Sequence, residues 1–240
     1  MNNNWDKLSS KFDVHKSELG IDPGAADNIL IAWPPIIDLI IQYFDTLQVK
    51  KLKALDYGCG TGGFAQKLDS LGFDVVGTDI SEDMLRIAKK STNKKIIFLK
   101  TDRIPQNAKY DLITGIMVFQ FIQNAQEVFE QLISRLRKGG LIVFAVFNPK
   151  FVTLCLKSQI LFSNFDTIDD PKIGVTIFGK DSNIPTFIKS ANEYDKMLNN
   201  FGLTKKLEVY PQFTKEYLNK YPVDTPTNES EYLILGYCRS

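Results

Sequence analysis

Residues 52–63 read LKALDYGCGTGG, a short apolar strand that runs directly into a glycine-rich turn. Glycine lets a backbone turn tightly, approach a ligand closely and aim its amide N–H groups at that ligand. Gly58, Gly60 and Gly63 also satisfy the GxGxxG pattern of dinucleotide binding. In that pattern an acid for the ribose hydroxyls follows about 20 residues later, where Asp79 stands. The turn therefore predicts a nucleotide-like cofactor and leaves the choice of cofactor open.

Short apolar strands alternate with amphipathic helices between residues 50 and 147, the pattern of successive βα units around a parallel sheet. The strands predicted in this region are Leu52–Tyr57, Phe73–Thr78, Ile96–Lys100, Tyr110–Met117 and Leu141–Phe147. Ser81 is a good N-cap for the helix after the second strand, and Asn124 with Glu127 has capping-box spacing before the last helix. Gly139 begins a glycine pair that is predicted to end that last helix. The pattern predicts an α/β fold.

The segments on either side of this region are predicted to cover the core. Pro34 and Pro35 are predicted to begin a helix that packs on the sheet. Some forty residues after the fifth strand interrupt the βα rhythm and predict a lid or cap. The chain is thus predicted to be a single domain with four parts: an N-terminal helical lid at 1–50, a cofactor-binding core at 51–148, a cap insert at 149–189, and a closing helix and strands at 190–240. The predicted closing elements are a helix with a Ser190–Glu193 capping box and the strands Leu203–Tyr210 and Glu231–Arg239.

Composition excludes several classes of function. With 29 Lys and Arg against 28 Asp and Glu, the net charge of +1 disfavours a nucleic-acid partner. The most apolar stretch, Ile29–Ile41, is shorter than the roughly 18 residues of a membrane span, and the N-terminus lacks the pattern of a secretory signal. Cys59, Cys155 and Cys238 fit neither a disulfide framework nor a zinc site, so we expect no metal and a cytoplasmic location.

Three features favour S-adenosylmethionine over a dinucleotide. Asp56 stands two residues before the first glycine, where a carboxylate suits a ligand with a cationic amino group. Asp102 directly follows the third strand, where it could accept a hydrogen bond from an adenine amino group. The last two predicted strands flank a helix and look like an antiparallel edge of the sheet.

At this point the sequence resembles the class I S-adenosylmethionine-dependent methyltransferases, strongly over residues 50–147 and more loosely over 186–239. The matching pieces are LDYGCGTGGFAQKL, VVGTDISEDMLRIAKK, FLKTD, YDLITGIMVFQFI, LRKGGLIVF and SANEYDKMLNNFGL. The resemblance implies a Rossmann-like, seven-stranded, mostly parallel sheet with helices on both faces and an antiparallel seventh strand between the fifth and the sixth.

The resemblance also implies a role for individual residues toward the cofactor. Asp56 would interact with the amino group of S-adenosylmethionine, and Asp79 would accept both ribose hydroxyls. Asp102 would accept the adenine amino group, and the backbone N–H of Arg103 would meet a ring nitrogen. The remaining cofactor contacts implied are Gly58, Cys59 and Gly60 for the methionine moiety, Ile80 and Met84 for the adenine faces, and Ile116 and Met117 beside the methyl group.

The sequence says less about the residues that bind the molecule that accepts the methyl group. The stretch after the fourth strand, GIMVFQFI, lacks the motifs that relatives use for nucleic-acid bases, for metal-dependent catechol chemistry and for protein arginine. This leaves a small-molecule acceptor, either free or carried on a protein. His15, the only histidine, continues the helical stripe of Trp5 and Phe12, and we expect it to act as a general base, with simple packing as the alternative. Aromatic residues of the insert, such as Phe178, could stack on the acceptor or simply pack the lid. The further acceptor-pocket residues predicted are Asn28, Trp33, Gln120, Asn148 and Lys189.

Three functions remain open at this stage. The favoured one is transfer of a methyl group from S-adenosylmethionine to an O, N or C atom of a small molecule by in-line displacement, relying mainly on proximity. The alternatives are a catalytically silent S-adenosylmethionine-binding module and an NAD(P)-dependent oxidoreductase.

Overall fold

The computed structural model describes residues 4–15, 23–45, 51–178, 182–221 and 223–240. Its strands are β1 Lys53–Tyr57, β2 Asp74–Asp79, β3 Ile97–Lys100, β4 Tyr110–Ile116, β5 Leu136–Phe147, β6 Phe162–Ser163, β7 Ile173–Ile177, β8 Asn183–Phe187, β9 Leu203–Val209 and β10 Tyr232–Arg239. Its α-helices are α1 Asn4–Leu8, α2 Pro23–Asp27, α3 Trp33–Asp45, α4 Gly63–Ser70, α5 Glu82–Ser91, α6 Ala125–Arg135, α7 Pro149–Lys157, α8 Ala191–Asn199 and α9 Lys215–Lys220. Shorter helical turns are the π-turn Asn28–Ala32 and the 3₁₀ turns Thr101–Arg103 and Phe119–Phe121.

A seven-stranded sheet in the described part of the chain has the order β3-β2-β1-β4-β5-β10-β9. The five strands from β3 to β5 are parallel, and β10 lies antiparallel between β5 and β9, as Ile234 opposite Ala145 shows. This confirms the predicted fold class and the antiparallel seventh strand. Because parallel strands end at a common edge, the residues that follow β1, β2 and β4 meet there.

Helices cover both faces of this sheet, which explains why most residues of its central strands β1, β4 and β5 are buried. One face packs against α3, α4 and α5 through residues such as Ile36, Phe64 and Leu85. The opposite face packs against α6 and α8 through residues such as Phe129 and Leu198.

Two of the predicted N-cap signals are confirmed and one is wrong. The Ser81 hydroxyl accepts a hydrogen bond from Met84 N at 3.1 Å, and Ser190 forms a complete capping box with Glu193. The predicted Asn124 box does not form, because φ −96° and ψ 53° take Asn124 out of the extended conformation that a capping side chain needs.

The fifth strand is longer than its apolar run. It begins at Leu136, which pairs with Tyr110, whereas the sequence predicts a start at Leu141 after a helix-ending glycine pair. Gly139, with a φ of 71°, lies inside the strand where the register is irregular. The glycine signal therefore marks an irregularity within the strand rather than the end of the helix.

One helical segment in the described residues, Ala25–Asp45, is long and apolar enough to cross a membrane by length and composition alone. Its inward-facing residues Ile36, Ile40 and Phe44 are buried against the sheet. The helix of a protein core passes the same test, so these features are those of a core helix.

The insert after β5 begins with α7 and continues into a small antiparallel sheet of β6, β7 and β8. The side chain of Asn148 caps α7 by accepting a hydrogen bond from Lys150 N. Phe151 and Phe162 pack against Phe147 at the end of β5, which ties the insert to the edge of the main sheet.

Candidate active site

The glycine turn between β1 and α4 holds three residues in the left-handed region of backbone conformation. Gly58, Gly60 and Gly62 have φ angles of 68°, 52° and 84°, which would strain a residue with a side chain. A Cβ atom at Gly58 would lie 2.5 Å from a methyl group of Val118, so packing also requires this glycine. At Gly60 the nearest atom to such a Cβ would be Met84 Sδ at 4.0 Å. The Gly60 backbone therefore faces open space that a ligand can enter.

Asp56 lies at the end of β1, just before this turn, and the two oxygens of its carboxylate differ in their hydrogen bonding. It is 2% exposed, and its Oδ1 accepts a hydrogen bond from the Thr114 hydroxyl at 2.8 Å. Among the described residues, no hydrogen-bond partner reaches Asp56 Oδ2. Burial raises the pKa of Asp56 to about 7; the charge of Asp79 reinforces this shift, and the Thr114 hydroxyl and the Ala65 backbone oppose it. A buried carboxylate oxygen of this kind can accept a hydrogen bond from a cationic group.

Asp79 ends β2 and is held by the backbone on both sides. Its Oδ2 accepts from Gly60 N and its Oδ1 from Ser81 N, each at 2.9 Å. Burial raises the pKa of this carboxyl, and the two backbone bonds oppose that shift. Each oxygen keeps further acceptor capacity, so the carboxylate is positioned to receive two hydroxyl groups.

A cavity of about 790 Å³ extends from the glycine turn to the N-terminal segment and the insert. Its wall on the sheet side is formed by the ends of β1, β2 and β4, including Asp56, Asp79 and Ile116. The volume falls in the range of small-molecule and cofactor sites.

Four aromatic side chains in the cavity lining form a group that we call the aromatic wall: Trp5, Phe12, Phe121 and Phe178. The ring centroids of Trp5 and Phe121 are 4.9 Å apart, and those of Phe12 and Phe178 are 5.4 Å apart. Trp5 also lies 6.0 Å from Phe178. The N-terminal segment, the turn after β4 and the insert thus meet in one apolar surface.

Two carboxyl groups meet elsewhere in the same lining. Asp27 at the end of α2 and Glu231 just before β10 both line the cavity. Burial and the neighbouring Asp27 raise the pKa of Glu231 well above its ordinary value. We call these two residues the acid pair.

Most of the residues predicted for the site do line this cavity. They are Asp56, Gly58, Cys59, Gly60, Asp79, Ile80, Met84, Ile116 and Met117 on the cofactor side, and Asn28 and Trp33 on the acceptor side. The structure thus brings the predicted cofactor residues of three strands together at one edge of the sheet.

Asp102 and Arg103 are exposed and do not line the main cavity. Asp102 lines an adjoining depression of about 180 Å³, which shares Tyr57 and Thr101 with the main cavity. The predicted contact between Asp102 and the adenine would therefore lie at the edge of the main cavity.

His15 does not line the cavity, which corrects its assignment as a pocket base. Its Nε2 lies 2.7 Å from the Thr61 carbonyl oxygen, which can only accept, so Nε2 carries the hydrogen. The ring ties the N-terminal segment to the glycine turn, as does the bond from the Thr61 hydroxyl to the Phe12 carbonyl at 3.1 Å.

Three other predicted pocket residues lie outside the lining of the cavity. Asn148 is 1% exposed, and its Nδ2 donates to Glu229 Oε1 and to the Ser230 carbonyl. Gln120 is equally buried and contacts Met117 Sδ, and Lys189 is half-buried near Glu193. A helix cap therefore accounts for Asn148, whereas Gln120 Oε1 is buried with no hydrogen-bond partner among the described residues.

Sequence reasoning missed Asp27, Glu231, Asp224 and Phe121 in the lining. The available signals were weak: Asp27 precedes the predicted pocket residue Asn28, and Glu231 begins a predicted strand. Among the residues that the structure describes, no group of three or more His, Cys, Asp or Glu side chains could hold a metal ion.

The fold and this edge of the sheet define an α/β enzyme that binds an adenosine-containing cofactor. A family model described as "Methyltransferase domain" matches residues 33–207, which is more than half of the chain. The chain belongs to this family, and it is an S-adenosylmethionine-dependent methyltransferase. The nicotinamide-dependent and silent-module alternatives are thereby set aside.

Two relatives by sequence and one solved structure are similar to this chain. The chain is 28% identical over 211 residues to malonyl-[acyl-carrier protein] O-methyltransferase 2 of Ilyobacter polytropus, covering 76% of this chain and 82% of the relative. It is 26% identical over 118 residues to a ubiquinone biosynthesis O-methyltransferase of Rickettsia canadensis, about half of each chain. A structure titled as a putative S-adenosylmethionine-dependent methyltransferase from Listeria monocytogenes superposes with a TM-score of 0.69 at 18% identity, covering 87% of this chain and 96% of that one. At that identity the likeness shows the fold alone.

The described residues fit the cofactor. The unsatisfied Oδ2 of Asp56 suits a cationic amino group, and the open space at Gly60 admits a ligand against the backbone. Asp79 offers both oxygens to a ribose beside them.

Proposed function

We propose that this enzyme methylates a small molecule that binds in the far part of the cavity, against the aromatic wall. The observation that carries the proposal is the continuity of the cavity. One lining joins the glycine turn and Asp79 to Trp5 and Phe178, so a cofactor and an acceptor can share one cavity. The acceptor atom is O, N or C in this proposal.

The cofactor, when bound, supplies a methyl group already activated by a sulfonium centre. The chain's own residues then have to bind the cofactor and the acceptor and orient them toward each other. In this proposal Asp56 binds the amino group, Asp79 binds the ribose hydroxyls, and Ile80 with Met84 packs on the adenine. Asp102 and the Arg103 backbone approach the adenine from the rim, and Ile116 and Met117 border the transferred group. Orientation of two bound reactants can contribute about 7–11 kcal/mol, so proximity is the main catalytic effect.

The segments outside the βα core exclude water from the cavity. Trp5 and Phe12 come from the N-terminal segment and Phe178 from the insert, and their rings meet above the cavity. The hydrogen bonds of His15 and Thr61 support this arrangement by fixing the N-terminal segment to the glycine turn.

Relatives by sequence include methyltransferases whose names give acyl-carrier-bound malonyl groups and ubiquinone biosynthesis as their substrates or pathways. Both names specify O-methylation, which supports oxygen as one candidate acceptor atom. A reducing cytoplasm is the proposed location, supported by the free thiols of Cys59, Cys155 and Cys238.

The test is release of S-adenosylhomocysteine with a panel of small-molecule acceptors, run on the parent and on Phe178→Ala. We expect turnover with at least one acceptor and a higher KM for that acceptor in the variant, with cofactor affinity unchanged. Turnover that requires a macromolecular acceptor, or a variant that loses cofactor affinity and keeps its acceptor KM, would contradict the proposal.

A further inference from the structure

The N-terminal segment of residues 4–15, which we call the strap, lies along the edge of the sheet where β1 and β2 end. Phe12 and Val14 of the strap line the cavity together with Gly60 and Asp79. The glycine turn and Asp79 hold the cofactor in the proposed function. The strap therefore forms one wall of the space that the proposed function gives to the cofactor.

Asp6 attaches the strap to the chain that follows β2. Its Oδ1 accepts a hydrogen bond from the Ser81 hydroxyl at 2.6 Å and another from Asp83 N at 3.4 Å. The Ser81 side chain is buried, and a short bond from a hydroxyl to a carboxylate is one of the stronger hydrogen bonds in proteins. A carboxylate beside the first turn of α5 is also favoured by the helix dipole. Asp6 is thus a strong point of attachment.

Ser81 in turn supports two residues of the proposed cofactor site. Its backbone N donates to Asp79 Oδ1 at 2.9 Å, and its hydroxyl oxygen accepts from Met84 N at 3.1 Å. Asp79 and Met84 both line the cavity. A hydroxyl group has one hydrogen, and Asp6 accepts it, so the lone pairs of the Ser81 oxygen remain for Met84 N. Asp6 therefore fixes the orientation of the Ser81 hydroxyl between the strap and these two residues.

A second attachment lies at the glycine turn. The Thr61 hydroxyl donates to the Phe12 carbonyl at 3.1 Å, and the Thr61 carbonyl accepts from His15 Nε2 at 2.7 Å. Val14 packs so closely on this turn that a Cβ atom at Gly63 would lie 2.3 Å from its Cγ2 atom. The two attachments follow β1 and β2, whose ends hold the methionine and adenosine halves of the cofactor in the proposed function. The strap thus spans the proposed cofactor site.

We infer that Asp6 is a positioning residue for the cofactor: its bond to Ser81 latches the strap against bound S-adenosylmethionine and slows the dissociation of the cofactor. The inference rests on the proposed function, because it takes the ribose to lie at Asp79. Lifting the strap from α5 breaks this bond, and a cofactor that loses one wall of its site leaves faster. Trp5, next to Asp6, contacts Phe121 in the aromatic wall, so the same latch also completes the surface proposed for the acceptor.

The first experiment measures how fast S-adenosylhomocysteine leaves the enzyme, by chasing the labelled compound with an excess of the unlabelled one. Asp6→Ala should raise the dissociation rate constant about tenfold to a hundredfold, as expected when a hydrogen bond to a charged group is lost. Asp6→Asn keeps an oxygen that can accept from the Ser81 hydroxyl, so its dissociation should be slower than that of Asp6→Ala.

The matched control is Asp83→Ala. It removes a carboxyl group from the same helix end and keeps the backbone N that donates to Asp6. The Asp83 side chain instead pairs with Arg86 at 3.0 Å on the exposed side of α5. Because an exposed ion pair contributes little, the dissociation rate constant should stay within about twofold of the parent.

The second experiment follows the strap itself by amide hydrogen exchange of residues 4–15. S-adenosylhomocysteine should slow this exchange in the parent and slow it less in Asp6→Ala, because local opening sets the exchange rate. Thr61→Val tests the other attachment on a different element. It removes the hydroxyl that donates to the Phe12 carbonyl and keeps the shape of the side chain, so it should also speed dissociation.

Three results would overturn the inference: unchanged dissociation in both Asp6→Ala and Thr61→Val, equal dissociation rates for Asp6→Asn and Asp6→Ala, or strap exchange that S-adenosylhomocysteine does not slow in the parent. The proposed function fails separately. Asp79→Ala with full cofactor affinity would contradict the proposed position of the ribose, whereas weakened binding in Asp79→Ala with unchanged dissociation in Asp6→Ala refutes only the latch. Circular dichroism confirms that each variant is folded.

Discussion

The buried carboxyl of Asp56 should make cofactor affinity depend on pH. Its pKa of about 7 means that the neutral form dominates in mildly acidic solution. A cationic amino group needs the ionised form, and the α-amino group itself stays mostly protonated up to its own pKa of about 7.7–8.0. The ionised fraction of a group with a pKa near 7 rises from about 3% at pH 5.5 to about 50% at pH 7, so affinity should rise roughly fifteenfold.

The assay is isothermal titration of S-adenosylhomocysteine into the parent enzyme at half-unit steps from pH 5.5 to 7. Asp56→Asn should bind more weakly at pH 7 and show a flatter pH profile, since the amide cannot ionise. Asp74→Asn is the matched control, because Asp74 is exposed at the opposite end of β2.

One result would refute the reasoning about Asp56. If the parent changes its affinity by less than twofold over this range, and Asp56→Asn matches the parent at every pH, then the carboxyl does not bind the amino group. The unsatisfied Oδ2 would then have another function.

Four further outcomes are expected. Asp79→Ala should weaken S-adenosylmethionine binding about tenfold to over a hundredfold by calorimetry, with the fold intact. S-adenosylmethionine at 100 times its Kd should stabilise by about 2.7 kcal/mol and raise the Tm by several degrees, whereas NAD at the same concentration should not. His15→Ala should keep turnover within about threefold, because its Nε2 bonds the Thr61 carbonyl outside the cavity lining; a larger loss at unchanged Tm would restore it as a base. Burial raises the pKa of Glu231, so its contribution to the free energy of unfolding is full below about pH 4.5 and is lost as pH rises. The urea midpoint of Glu231→Gln should therefore fall less between pH 5 and 8 than that of the parent.

The fold could be predicted because its signals are local and repeat along the chain. Each apolar run predicted as a strand between residues 50 and 147 becomes a parallel strand, and Ser81 and Ser190 cap helices as their spacing predicts. The errors occur where a local signal has two readings. The glycine pair at Gly139 can end a helix or interrupt a strand, and only the pairing of Leu136 with Tyr110 decides between them.

The cofactor end of the site was predictable for the same reason. Asp56 and Asp79 lie at or near the carboxyl ends of neighbouring parallel strands, so their place in the sequence gives their place in the fold. The acceptor end was not. His15 and Asn148 are polar residues in plausible segments, yet their hydrogen bonds go to Thr61 and Lys150, and no pattern in the sequence distinguishes a cap from a ligand.

Glu231 shows why the far part of the cavity could not be read from the sequence. In a parallel sheet the residues after each strand reach the cofactor edge, so an acid before a strand is expected at the opposite edge. The seventh strand reverses this rule, because β10 runs antiparallel beside β5 and brings its beginning to the edge where β5 ends. Tyr232 therefore pairs with Phe147, and Glu231 enters the cavity beside the aromatic wall. Its partner Asp27 comes from a helix some two hundred residues earlier, so the pair exists only once both long-range packings are made.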